Sequence, residues 1–293
     1  MSCCAKPPAA LPARELFAPG GPRCCSAREL LLRVCELHGY APGQGAHYLD
    51  GTLFEPGFSL EGAAAYALAT DRYVRDSNDE QVVDEPVLAD TLYLAHDDIS
   101  ARQDERIPLY STEVSVSGAP VAHPFTLHGN AVVAQALDVF RRTLDEDTAK
   151  EVQDPAAVRA ALGKQFAVEQ DGKSTLATAI DLKGGRTLED DPIGSALWLP
   201  LYEAADRGDA TYKRTAKRIG RTPSMLAEQC ARLLGPDAAL VLQWLRRAPL
   251  DNGFAAEHVD AQGLAVGNGG DAALSGLLAY MAWYAVHVLG LEG

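Results

Sequence analysis

Several things are scarce or missing in this 293-residue chain, and each closes off a class of function. Basic residues are few: 26 Lys and Arg stand against 40 Asp and Glu, leaving a net charge of −14. A surface of that sign repels phosphate backbones and anionic lipid, so nucleic acid and membrane are not expected partners. No stretch approaches the ~18 consecutive apolar residues of a membrane span. Even the most apolar run, from Leu274 to Leu291, is broken by Ser275, Gly276 and His287. The N-terminal segment lacks the hydrophobic core of a secretory signal, which sets a cytoplasmic expectation. Walker, GxGxxG and GxSxG patterns are absent, so nucleotide and serine-hydrolase chemistry find no support. The cysteines lack CxxC spacing: Cys3–Cys4 and Cys24–Cys25 are adjacent pairs, while Cys35 and Cys230 stand alone. They read as incidental reduced thiols rather than a zinc site. With no HExxH motif, His123, His128 and His258 make no case for a metal, and no cofactor is expected.

What is present is ordinary globular composition, 47% hydrophobic and 23% charged. Residues 1–24 are rich in Pro, Ala and Gly without periodicity and predict a flexible tail, followed by one domain over 25–293. From Ser26 onward the apolar residues recur at helical spacing, and ten helices can be counted. Strand is expected only near 105–127 and 165–182, the latter carrying a β-prone Asp-Gly hairpin signal. Four segments starting near residues 59, 129, 193 and 271 open with small residues and are apolar nearly all round, as buried helices are. The others are amphipathic. Alternation of the two kinds predicts an all-α, double-layered ring of helical hairpins with an inner barrel.

In such a ring the loops leading into the inner helices converge on one mouth. Four of these are long and polar, around YLDGTLFEPGFSLEG, YSTEVSVSGAPVAHPFTLHGN, LEDDPIGSALW and NGFAAEHVDAQGLAVGNGGDAALSG. In the last, Gly253-Phe254-Ala255-Ala256-Glu257-His258 precedes the turn Gly267-Asn268-Gly269-Gly270-Asp271 and a long apolar helix. It resembles the stretch before the final inner helix in the six-hairpin glycosidases, the glucoamylase-like and metal-independent α-mannosidase-like enzymes. That resemblance gives Glu257 the role of general base, with His258 where the family commonly has glutamine. Tyr110-Ser111-Thr112-Glu113, leading into Phe125-Thr126-Leu127-His128-Gly129-Asn130, is similar to the family's acid-bearing loop and makes Glu113 the candidate general acid. Thr112 replaces the usual tryptophan. Asp97, Asp98 and Asp191 are rival acids.

The resemblance implies an (α/α)6 toroid and an inverting glycoside hydrolase acting exo on α-linked gluco- or manno-oligosaccharides. Inversion needs one protonated carboxyl and one carboxylate roughly 6.5–9.5 Å apart. Phe58, Tyr110, Phe125, His128, Asn130, Trp198, His258 and Asn268 are the candidates for holding sugar, with Phe54, Glu55, Tyr66 and Asp190 as weaker ones. Other readings of the same ring are a noncatalytic carbohydrate-binding or scaffold protein, and a sugar epimerase or unsaturated-uronyl hydrolase. The count is one hairpin short of a full ring, which leaves room for a partner, a homo-oligomer included, to close it.

Overall fold

The computed structural model describes residues 26–44, 57–170, 172–191, 193–219, 225–247, 250–260 and 264–291. The expected flexible tail, together with Phe54 and Glu55, lies outside the described residues. Helix dominates. In the first half α1 (Ala27–His38), α2 (Leu60–Ser77), α3 (Pro86–Ser100) and α4 (Leu127–Thr143) pack in succession, followed by α5 (Glu146–Glu151) and α6 (Pro155–Gln165). In the second half α7 (Ala210–Ile219), α8 (Leu226–Arg232) and α9 (Ala238–Leu245) lead to α10 (Ala272–His287). No helix among the described residues is long and apolar enough to cross a membrane.

The helix starts are written in side chains. Ser26 and Glu29 form a reciprocal capping box on α1, and the Ser59 hydroxyl accepts from the Gly62 amide at the start of α2. Asp154 caps α6 ahead of Pro155, whose missing N–H costs nothing in a first turn. α2 ends at Asn78, a left-handed residue with φ 55°. α4 is buried along nearly its whole circumference from Leu127 to Phe140, and Leu60, Ala63, Ala64 and Ala67 of α2 close on it. Each fully buried aliphatic side chain there is worth about 1.5–3 kcal/mol of transfer free energy. Among the described residues three apolar clusters make up the core, and the Tyr202 ring touches all three.

Small antiparallel elements decorate the helices. β1 (Phe125–Thr126) pairs with β4 (Ala179–Ile180), which pairs in turn with β5 (Arg186–Thr187). β2 (Ala167–Gln170) and β3 (Lys173–Leu176) form the expected hairpin, with Gly172 at φ 68° in its turn.

Three expectations need correction. The segment from 193 forms no long helix: a 3₁₀ turn, Ala196–Trp198, gives way to further turns. Pro200 is the reason, since it has no N–H to donate to Ala196 and its ring would strike that carbonyl. In the stretch expected as loop and turn before α10, β6 (Leu250–Asp251), β7 (Phe254–Val259) and β8 (Ala265–Asp271) form a three-stranded sheet. Asn252 and Gly253, at φ 54° and 83°, make the two-residue left-handed turn that an Asn-Gly pair favours. Finally, α10 does not line the interior along its length: only Met281 and Ala285 are buried, and Trp283 and Val286 are each 43% exposed.

Asn130 ties the loop before α4 to the helix. Its Oδ1 accepts from the Tyr110 amide at 2.7 Å, and its Nδ2 donates to the Tyr110 and Thr126 carbonyls at 2.9 Å each. The side chain is fully buried, so every one of those groups would otherwise be unpaired away from water. Asn130→Leu is expected to lower unfolding free energy by roughly 3 kcal/mol, read as a reduced urea midpoint with an unchanged slope; an effect below about 1 kcal/mol would show that the loop is held by other contacts.

Candidate active site

The N-terminal ends of α2 and α4 meet the loop that precedes the Ala196–Trp198 turn around a pocket of about 250 Å³. Glu61 comes from the first turn of α2, His128 from the first turn of α4, and Glu189, Asp190 and Asp191 from the loop; Ser115, Ser117, Thr126, Thr178 and Thr187 complete the polar lining. Helix N-termini present unpaired N–H groups and positive potential, a setting that favours carboxylates and hydroxyl-rich ligands.

Glu61 and His128 form the floor. Glu61 Oε1 lies 3.0 Å from His128 Nδ1, both side chains are over nine-tenths buried, and the Ser59 hydroxyl donates to Glu61 Oε2 at 3.2 Å. Tyr202 stands edge-on to the His128 ring with centroids 5.4 Å apart. Gly129 makes the approach of the two helices possible: a Cβ there would sit 2.6 Å from Thr126 Oγ1 and 3.1 Å from Glu61 Oε1. Thr126 Oγ1 is itself buried without a protein partner among the described residues, leaving a hydroxyl available to a ligand.

Asp190 is the unusual carboxyl. Its Oδ1 accepts from the Ala196 amide at 3.1 Å, yet desolvation outweighs that bond and the one from Ser195, and pushes its pKa above the ordinary carboxylate value. Asp191 is spent on structure, accepting from the Ile193 and Gly194 amides at 3.0 and 3.4 Å and from the Ser117 hydroxyl at 3.1 Å.

Glu113 is placed differently from the expectation. Its Oε2 accepts from the Phe58 amide at 3.0 Å and its Oε1 from Arg102 Nη1 at 2.8 Å, while the Arg102 guanidinium lies 4.2 Å over the Phe58 ring. The Arg102 bond, then the Phe58 amide, lower its pKa, the reverse of what a general acid needs. The chain just beyond it, Ser115 to Ala122, walls the pocket, but Glu113 does not line it. Among the rivals, Asp97 is exposed on α3 and Asp98, its pKa raised by burial, belongs to the same helix end; neither lines the pocket.

Glu257 is exposed on β7 and does not line the pocket. The β7–β8 register slips between Ala256 and His258, so Glu257 occupies an irregularity in the ladder. Such bulges re-aim a side chain and are common beside active sites. His258, also exposed, is bridged to Met225. Asn268 falls in β8, with its side chain outside the described residues. Among the candidate sugar-binding residues in the described part of the chain, His128 and the weaker candidate Asp190 line the pocket, and Tyr66 does not. Phe58, Tyr110, Phe125 and Trp198 are core, between 1% and 8% exposed, and offer no open ring face to a sugar. Cys35 and Cys230 are buried free thiols; the other four cysteines lie outside the described residues. Glu61 was the residue missed, because an acid in a helix's first turn after a serine cap is fully accounted for by the helix dipole.

No protein-family model and no curated protein matches the sequence. Solved structures do. A Streptococcus pneumoniae metal-independent α-mannosidase, in a non-productive complex with α-1,6-mannobiose, superposes with a TM-score of 0.71 at 12% identity, over 90% of this chain and 80% of that one. Cellobiose 2-epimerase from Spirochaeta thermophila follows at 0.56 and 16%, over 89% and 79%. The family 8 endoglucanase Cel10 of Klebsiella pneumoniae gives 0.52 and 14%, over 92% and 91%. The fold is therefore an (α/α)6 toroid, the architecture of these two hydrolases and this epimerase.

The Glu113–Arg102 pair makes a pH prediction. With a folded pKa below the unfolded one, the pair's contribution is complete above the unfolded carboxylate pKa near ~4 and disappears as pH falls through the folded value. Because Glu113 is more than half exposed, Glu113→Gln should cost at most about 1 kcal/mol at neutral pH. Urea titrations of both proteins should draw together as pH falls below the unfolded carboxyl pKa; an unchanged difference there would show that the loss comes from packing.

Proposed function

We propose that this protein is an inverting glycoside hydrolase that removes a terminal sugar from α-linked gluco- or manno-oligosaccharides, with Asp190 as general acid and, as general base, either Glu257, to which the family resemblance points, or Glu61, which lines the pocket. The observation that carries the reading is Asp190: a carboxyl pushed towards the protonated form, in a pocket at the helix N-termini of a toroid shared with sugar-processing enzymes. A volume near 250 Å³ suits about one sugar ring, below the ~300–1,000 Å³ of larger ligand sites, and that favours a chain end over a chain interior.

In this reading Asp190 gives its proton to the glycosidic oxygen as the bond to the anomeric carbon breaks. Water adds to that carbon from the opposite face, losing its proton to the base carboxylate, so one water is consumed and the anomeric configuration inverts. Glu61 and His128 hold hydroxyls of the bound ring, with Thr126 as a further partner. The buried Glu61–His128 pair also favours a second reading: an imidazole beside a carboxylate suits proton transfer at a sugar carbon next to a carbonyl, which is epimerase chemistry.

Incubation with α-1,6-mannobiose, maltose and nitrophenyl α-glycosides, with product anomers read by proton NMR, separates the readings. Hydrolysis with inversion is expected. Accumulation of an epimerised disaccharide without cleavage would favour the second reading, and binding without turnover a noncatalytic protein. Asp190→Asn should lower kcat/KM on the disaccharide roughly 10²-fold or more, and much less on nitrophenyl glycosides, whose leaving group needs little protonation. Wild-type activity should fall as pH rises through the raised Asp190 pKa, because the acid must be protonated. Glu257→Gln should fall by a similar factor on both substrates. Should it retain activity while Glu61→Gln loses it, the base is Glu61.

A further inference from the structure

A second pocket, of about 310 Å³, opens between α7, α8 and the start of α9, and shares no residue with the sugar pocket. Its lining carries Lys213, Lys217 and Arg232, with Gly235, Pro236 and Asp237 at one edge. That is a concentration of positive charge on a chain with a net charge of −14.

The charges on α7 divide into two sets. Its ten residues hold Lys213, Arg214, Lys217 and Arg218 and no acid. Arg214 and Arg218 have structural work: Arg214 Nε donates to the Ser174 carbonyl at 2.7 Å and Arg218 Nη2 to the Leu176 carbonyl at 2.8 Å, clasping β3. Lys213 and Lys217 have none. One turn apart on the exposed face, they repel each other. Lys217, in the last turn, is favoured by the helix dipole, but Lys213 is too far from that end to gain.

Elsewhere among the described residues Arg28, Arg72, Arg102, Arg142 and Arg159 each pair with a carboxylate, whereas Lys164, Lys173 and Lys183 do not; what sets Lys213, Lys217 and Arg232 apart is that they line one pocket. Among the described residues the side chains of Lys213, Lys217 and Arg232 form no ion pair or hydrogen bond. The acids facing them are Asp237 at the rim, whose side chain makes no cap bond, and Glu228, which interacts with Arg232 through space. Arg207 adds another cation beside the pocket, its Nη2 donating to the Gly235 carbonyl at 3.5 Å.

We propose that this pocket binds the phosphoryl group of a small molecule, with the two lysines as point charges and the Arg232 guanidinium as the directional donor. Arg forks match the geometry of phosphate oxygens, and lysine ammonium groups neutralise their charge. The cavity is larger than a bare phosphate needs and accommodates an attached organic group of modest size.

The test is calorimetric titration of the full chain with inorganic phosphate and, separately, with glucose 6-phosphate, against chloride at matched ionic strength. Saturable one-to-one binding of either is expected, and tighter binding of the ester would assign the site to an organic phosphate rather than the free ion. The double variant Lys213→Gln/Lys217→Gln should bind roughly tenfold more weakly or worse, while Lys164→Gln, an exposed lysine on α6, should bind as wild type. Absence of saturable binding, or equal binding by the double variant, overturns the proposal. Both lysines are exposed and outside the sugar pocket, so Asp190-dependent hydrolysis is expected to persist in the double variant, and the two proposals fail independently.

Discussion

Everything at the mouth of this toroid is arranged around one buried polar contact, Glu61 with His128. A carboxyl and an imidazole taken out of water together must satisfy each other, because either one left alone would impose several kcal/mol on the fold. That requirement fixes the separation of the N-termini of α2 and α4. It explains why a glycine occupies position 129, where any Cβ would press on Thr126 and Glu61, and why Tyr202 is turned edge-on to His128. Tyr202 touches all three apolar clusters, so the pocket floor and the core are braced by the same ring.

From that floor the two carboxyls closest to chemistry are differentiated by surroundings rather than by type. Asp190 and Asp191 are adjacent in the chain. Asp191 spends both oxygens on two backbone amides and Ser117, as a loop cap does, while Asp190 is drawn into a less solvated position where burial outweighs its bonds. Glu113 shows the opposite case, since a guanidinium and an amide stabilise its charge and make it a structural clasp between Arg102 and Phe58. Three acids on neighbouring loops thus become a cap, a candidate acid and a tether through desolvation and donor count alone.

Much of the architecture could be read from residue order. Helical period, serine and aspartate caps and Pro at first-turn positions are local properties, and the helices begin where those signals lie. The two misread segments also carried local signals that apolar periodicity masked. Pro200 forbade a long helix after Gly194, and Asn252-Gly253 announced a hairpin before Glu257. The apolar character of α10 predicted burial, but whether a neighbour covers a helix face is not a local property, and here Trp283 and Val286 are left open.

By itself the sequence determined the predominantly helical class, the capped starts of α1, α2 and α6, and the likeness to ring-shaped sugar enzymes, because propensity, capping and apolar period act over a few residues. Only the tertiary structure decided which polar residues meet. Glu61 and His128 are 67 positions apart, and Asp190 lies 62 beyond His128. Which acid is desolvated, which is paired with Arg102 and which aromatic ring vanishes into the core depend on what the folded chain sets beside each of them, and pKa and accessibility respond to those neighbours in space, not in sequence.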